Sequence, residues 1–140
     1  ILRPTNPFRT IKMINSAFDI LNKFSADSIR AVEKTKIHPG KVWIYKKPYI
    51  KPLINKKLNN TPWHSNQYAA LPIYFAQNAS LELCKKKSFT KHKNISGSKI
   101  LPFFTTGYEG FDIKTSLDYE YAKKISLKKK KKIKKKSFFK

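Results

Sequence analysis

Ile1-Leu2-Arg3-Pro4-Thr5-Asn6-Pro7-Phe8-Arg9-Thr10 decides how the rest of the chain is read. Two apolar residues open it in mid-strand, with no Met before them. Pro4 and Pro7 each fix φ near about −65° and remove a backbone donor, so the strand ends in a stiff loop. Thr10 is a helix N-cap residue. Behind it Ile11, Ile14, Phe18 and Leu21 recur every three or four positions. That spacing predicts a helix from residue 10 to about residue 24, with those four side chains as its buried stripe. Strand, loop and helix in this order are the units of layered α/β sheets, whose ligands bind beyond the carboxyl ends of the strands. The opening is therefore expected to lie inside a domain whose N-terminal part is missing.

Downstream, the pattern alternates strands and helices. Residues 28–32 read as a short strand, and Pro39-Gly40 as a turn. Residues 41–46 and 49–53 alternate apolar and polar and read as a hairpin or two edge strands, the hairpin being expected to project as a dimerisation or lid element. Residues 55–65 are loop. Residues 71–75 read as a strand in the same sheet as residues 1–2 and 28–32, residues 80–87 as a short helix, and residues 100–105 as another strand. Thr115 and Asp118 form a capping box for a helix to about residue 125, with Leu117, Tyr121 and Ile125 as its apolar face.

The net charge of +23 comes from 31 Lys and Arg against 8 Asp and Glu. Residues 123–140 carry 11 lysines and no acid, so about half of the excess is one appendage. The expected organisation is a domain over residues 1–126 and a Lys-rich tail, 127–140, whose lysine run repels itself and stays disordered. The lysines of the tail, with Phe138 and Phe139, can touch anionic surfaces. Apolar residues make up 40% of the chain, enough for one folded domain. The single cysteine, Cys84, cannot form an internal disulfide, so a reducing, cytoplasmic setting is expected.

His38, His64 and His92 have no metal-ligand spacing and read as structural or loop residues. The polar residues of the opening loop are better candidates. Arg3, Thr5 and Asn6 can donate to a ligand beyond the strand end, and Arg9 carries a planar fork that suits a carboxylate or phosphate. The plain alternative for all four is a strand–helix connection. Gln67 and Asn78 flank the strand at residues 71–75, where uncharged amides can bond sugar hydroxyls. Asn78 can equally cap the helix that follows.

Four segments, in this order, resemble the acylneuraminate (sialic-acid-type) cytidylyltransferase family. Leu2-Arg3-Pro4-Thr5-Asn6-Pro7-Phe8-Arg9-Thr10 is similar to its strand-to-helix segment. Ala26-Asp27-Ser28-Ile29-Arg30-Ala31-Val32, with His38-Pro39 beyond, is similar to its next strand. Asn66-Gln67, Leu71-Pro72-Ile73-Tyr74 and Gln77-Asn78-Ala79-Ser80 resemble a third stretch. Glu109-Gly110-Phe111-Asp112-Ile113-Lys114-Thr115-Ser116-Leu117-Asp118 resembles the acidic one. The likeness covers residues 1–126, the C-terminal part of such an enzyme.

The resemblance implies a Rossmann-like three-layer nucleotidyltransferase fold and a homodimer. The implied reaction is attack of the anomeric hydroxyl of a nine-carbon 2-keto sugar acid (sialic, legionaminic or pseudaminic acid type) on the α-phosphate of CTP, giving a CMP-sugar and pyrophosphate. It makes Asp112 the catalytic residue and a ligand of Mg²⁺, which takes oxygen donors and one or two protein carboxylates. It gives Arg3, Thr5, Asn6, Arg9, Gln67 and Asn78 substrate contacts. The family often has a second acid two residues on; here that position is Lys114. Its glycine- and lysine-containing phosphate loop has no counterpart in these residues, so the chain alone is expected to be inactive. The competing reading is a small basic nucleic-acid-binding protein, on lysines interleaved with Tyr, Phe and Trp. Against it, arginine is scarce and the basic residues outside the tail are scattered, so no specific nucleic acid is expected.

Overall fold

The structure is a computed structural model that describes residues 1–137, with the backbone alone for residues 129–137. Among the described residues three helices form: α1 (Ile11–Lys23), α2 (Lys86–His92) and α3 (Ser116–Ser137). Seven strands form: β1 (Ser28–Lys34), β2 (Trp43–Lys46), β3 (Tyr49–Pro52), β4 (Lys57–Leu58), β5 (Thr61–Pro62), β6 (Phe75–Cys84) and β7 (Ile100–Phe104). The chain divides into two compact units. The first holds residues 1–32 and 77–140, and the second holds residues 33–76.

In the first unit a three-stranded sheet runs in the order β6-β1-β7. β1 and β7 are parallel, with Ser28 opposite Ile100 and Val32 opposite Phe104. α1 starts as expected, with the Thr10 hydroxyl accepting from the Met13 N–H. Its buried side is Met13, Ala17 and Leu21; of the expected stripe Leu21 is buried, whereas Ile11 is 78% and Phe18 48% exposed. Positions 13, 17 and 21 repeat at i+4, and Ala17 is small enough to let the helix lie close against Ile29, Ala31, Leu81 and Phe103. α3 departs in the same way. Its capping box forms, with Asp118 accepting from the Thr115 hydroxyl at 2.8 Å and donating its N–H to it at 3.2 Å. The buried face is Ala122 and Ile125, while Leu117 lies 80% exposed.

The expected Rossmann-like three-layer fold is not present. Among the described residues the architecture is one mixed three-stranded sheet, two separate two-stranded antiparallel sheets and three helices. Two local causes are visible. Of the strand expected over residues 71–75, residues 71–74 join no sheet: Pro72 has no N–H to give to a ladder, and a 3₁₀ turn, Tyr68–Ala70, leads into them. The strand starts only at Phe75 and continues to Cys84 through the stretch read as a helix. There the Leu81/Leu83 and Ser80/Glu82 alternation suits a strand with one apolar face. Residues 1–2 have no strand conformation, but Ile1 sits beside β6: its amino group donates to the Glu82 carbonyl at 2.5 Å, and the Glu82 N–H to the Ile1 carbonyl at 3.1 Å.

α3 continues to Ser137, through the lysine run expected to be disordered. Phe138 and Phe139, assigned above to anionic surfaces, lie outside the described residues.

The second unit is built around His38. Its ring meets Trp63, Tyr68 and Tyr74, with centroids 5.0–6.3 Å away. Nδ1 accepts from the Gly40 N–H at 2.9 Å and Nε2 lies 3.1 Å from the Pro72 carbonyl. Both nitrogens are satisfied by the Nε2–H form. The expected hairpin forms as β2–β3, with Trp43 opposite Pro52 and Tyr45 opposite Ile50. A second hairpin, β4–β5, turns on Asn59 and Asn60, both at positive φ, inside the stretch read as loop. Asparagine tolerates that region better than most residues, which suits a two-residue turn.

Candidate functional site

Pro4, Thr5 and Asn6 make a tight turn, closed by the Asn6 N–H donating to the Arg3 carbonyl at 3.3 Å. This turn is tied to the segment around Asp112 at two points. The Ile113 N–H donates to the Thr5 carbonyl at 2.9 Å, and the Asn6 side-chain amide donates to the Phe111 carbonyl at 2.8 Å. The two bonds fall on either side of Asp112. Sequence positions about 105 apart are thus fixed against each other. Phe8 and Phe111 pack at 5.8 Å, and Phe111 packs on Tyr121 at the same separation.

Two oxygens at this junction are buried without a hydrogen-bond partner: Asn6 Oδ1 and Asp112 Oδ1. A buried acceptor left unpaired costs about 1–3 kcal/mol, more for a charged group. Each is an acceptor that a donor or a cation would satisfy, on segments joined by the two bonds above. The other Asp112 oxygen, Oδ2, lies 3.9 Å from the Lys114 ammonium. Phe111 to Lys114 have no strand partners, so no sheet ladder holds the pair.

The remaining candidates divide. Arg3 donates to Glu82 Oε1 at 3.2 Å, and its side chain stays 56% exposed. Thr5 is exposed, with its carbonyl bound to Ile113. Arg9 is committed to the fold: its guanidinium donates to the Ser80 carbonyl at 2.9 Å and the Arg3 carbonyl at 2.7 Å. Asn78 lies within β6, so it caps no helix. Its amide donates to Thr105 Oγ1 at 2.8 Å, and its oxygen accepts from the Ser80 N–H. Gln67 belongs to the second unit, where it is exposed and caps the Tyr68–Ala70 turn through its carbonyl.

Sequence reasoning missed Glu82. It is 5% exposed, and its carboxylate takes Arg30 on one oxygen at 2.5 Å and Arg3 on the other. Arg30 also donates to Ser96 Oγ at 2.8 Å. The available signal was the alternation of residues 80–83, hidden by the helical reading. An open cavity of about 200 Å³ lies over this pair, lined by Ile1, Phe18, Leu83, Cys84 and Ile95 besides Arg30 and Glu82.

Among the described residues there is no group of three or more His, Cys, Asp or Glu side chains able to hold a metal ion. The oxygens that suit a hard cation are the two unpaired ones, one carboxylate and one amide. Also among the described residues, no helix is long and apolar enough to cross a membrane. No protein-family model matches the chain, and no curated protein matches it.

Proposed function

We propose that residues 1–126 are the sugar-acid side of a cytidylyltransferase of the acylneuraminate type, acting as a homodimer in the cytoplasm. The reaction is transfer of CMP from CTP to a 2-keto sugar acid, with release of pyrophosphate. The three-stranded sheet gives this reading no support; the four sequence segments and the site geometry do. The single observation that carries it is the junction at Asp112. Two of the four segments meet there, and the buried Asn6 and Asp112 oxygens left unpaired are of the chemistry that Mg²⁺ takes. In this reading Asp112 and Asn6 hold the ion, which supplies charge stabilisation for the phosphates. Arg3, held by Glu82 and half in solvent, presents a guanidinium fork to the sugar carboxylate. Arg9 and Asn78 keep the loop and the strand end in place rather than touching substrate.

The test supplies an upstream half carrying the glycine-rich phosphate loop, fused ahead of Ile1, and measures pyrophosphate release from CTP with each sugar acid. The expected result is Mg²⁺-dependent CMP-sugar formation that falls about 10²-fold or more in Asp112→Asn. Full activity in that variant removes the role given to Asp112.

One observation favours a second reading, single-stranded nucleic acid binding. The β2–β3 hairpin exposes Trp43, Tyr45 and Tyr49 beside Lys46, Lys47 and Lys51. Exposed aromatics among lysines suit base stacking with phosphate contacts. Salt-resistant, sequence-specific RNA retention by residues 1–126 would establish it in place of the enzyme. Retention that disappears when residues 127–140 are removed is charge attraction by the tail alone.

A further inference from the structure

We infer that Lys114 is a tethered counter-ion for Asp112, which balances the carboxylate when no metal is bound and must give way to a divalent cation. The inference rests on the cation reading of the Asp112 site. Its own observation is the geometry of Asp112, whose two oxygens have different surroundings. Oδ1 is buried and has no partner, and Asn6 Oδ1, on the turn bonded to the flanking Phe111 and Ile113, is also buried and unpaired. Oδ2 faces the Lys114 ammonium at 3.9 Å.

The exposures of the two side chains differ as a movable counter-ion requires. Asp112 is 20% exposed and fixed by the bonds on either side of it, whereas Lys114 is 77% exposed. A lysine stem has four rotatable bonds and a strongly hydrated head, so leaving the carboxylate costs it little. An exposed pair of this kind contributes too little to lock the site. The effect on a divalent ion is larger because the ion carries two charges. A single positive charge a few ångström beyond the coordinating oxygen lowers divalent affinity about fivefold to tenfold at low ionic strength, and salt screens the effect. Asp118, the other acid nearby, accepts from the Thr115 hydroxyl and from the Lys114 and Thr115 N–H groups, which hold it below the usual carboxylate range; the Lys114 charge also helps, so the lysine head serves both acids.

The experiment uses the full 140-residue chain and Mn²⁺ as the probe, read by paramagnetic broadening of backbone amide signals. In the wild type, broadening should centre on Thr5, Asn6 and residues 111–113 and saturate weakly. Lys114→Met should tighten Mn²⁺ binding about fivefold to tenfold at low salt, and the gain should shrink as salt is added. Lys114→Asp, which also adds a carboxylate, should tighten it further. Asp112→Asn should remove the broadening in every background. Equal affinity in the wild type and Lys114→Met, with loss in Asp112→Asn, overturns the counter-ion role and leaves the cation site standing. No Asp112-dependent broadening in any variant, Lys114→Asp included, overturns the cation reading and the counter-ion with it.

Discussion

Arg30 donates to Glu82 across the first unit at 2.5 Å, between side chains that are only 9% and 6% exposed. Ion pairs this deep are costly to break singly, because the surviving charge is left buried without a partner. Glu82→Ala should destabilise the protein by about 3–5 kcal/mol. Arg30→Met combined with Glu82→Leu should recover most of that loss, since neither charge then remains. Urea unfolding of the two variants checks both statements. A double variant as unstable as the single one would mean that the pair contributes more than charge compensation.

Asp27 has the most perturbed carboxylate. The Lys99 N–H, the Ser88 hydroxyl and the Ser98 N–H all donate to it, in that order of effect, and hold it far below the usual carboxylate range. A depressed folded-state value means the stabilisation is present above the unfolded value of about 3.9 and lost as pH falls below it. Asp27→Asn should therefore lower the melting temperature at neutral pH. The gap to the wild type should narrow as pH is taken from about 5 towards 2. A gap that stays constant through that range would show that the stabilisation is not linked to the charge.

Gly40 fills a place where no side chain fits. A Cβ there would lie 2.9 Å from both His38 Nδ1 and Trp63 Cβ. Gly40→Ala should cost about 1–3 kcal/mol through overpacking and disturb the His38–Trp63 contact. Amide hydrogen exchange should quicken in residues 33–76. Unchanged protection there would mean that the ring cluster yields without loss.

The β2–β3 hairpin presents Trp43, Tyr45, Ile50 and Pro52 on one face, by strand alternation and register. Tyr45 is 68% and Ile50 55% exposed. If this face joins two copies of the chain, Tyr45→Asp or Ile50→Asp should convert a dimer to a monomer in sedimentation velocity, with the secondary structure retained. A wild-type protein that sediments as a monomer at its highest soluble concentration would remove the homodimer from the proposal.

Local signals in the sequence determined part of the local structure. Thr10 and the Thr115–Asp118 box placed two helix starts, because an N-cap acts within three residues of itself. Alternation placed the β2–β3 hairpin, and the strands read at residues 28–32 and 100–105 correspond to β1 and β7. The sequence also put Asp112 forward, and the structure leaves one oxygen of that side chain buried and unpaired. What it could not determine were the choices made between elements. Both helices carry more apolar residues than they bury, so packing against Ile29, Ala31, Leu81 and Phe103 selected Met13, Ala17 and Leu21 over Ile11 and Phe18. Residues 80–84 suit a helix or a strand by composition, and pairing beside β1 made them strand. The roles of Arg9, Asn78 and Glu82 depend on partners 6 to 79 positions away. No local pattern encodes such distances; only the folded chain brings those groups within hydrogen-bonding range.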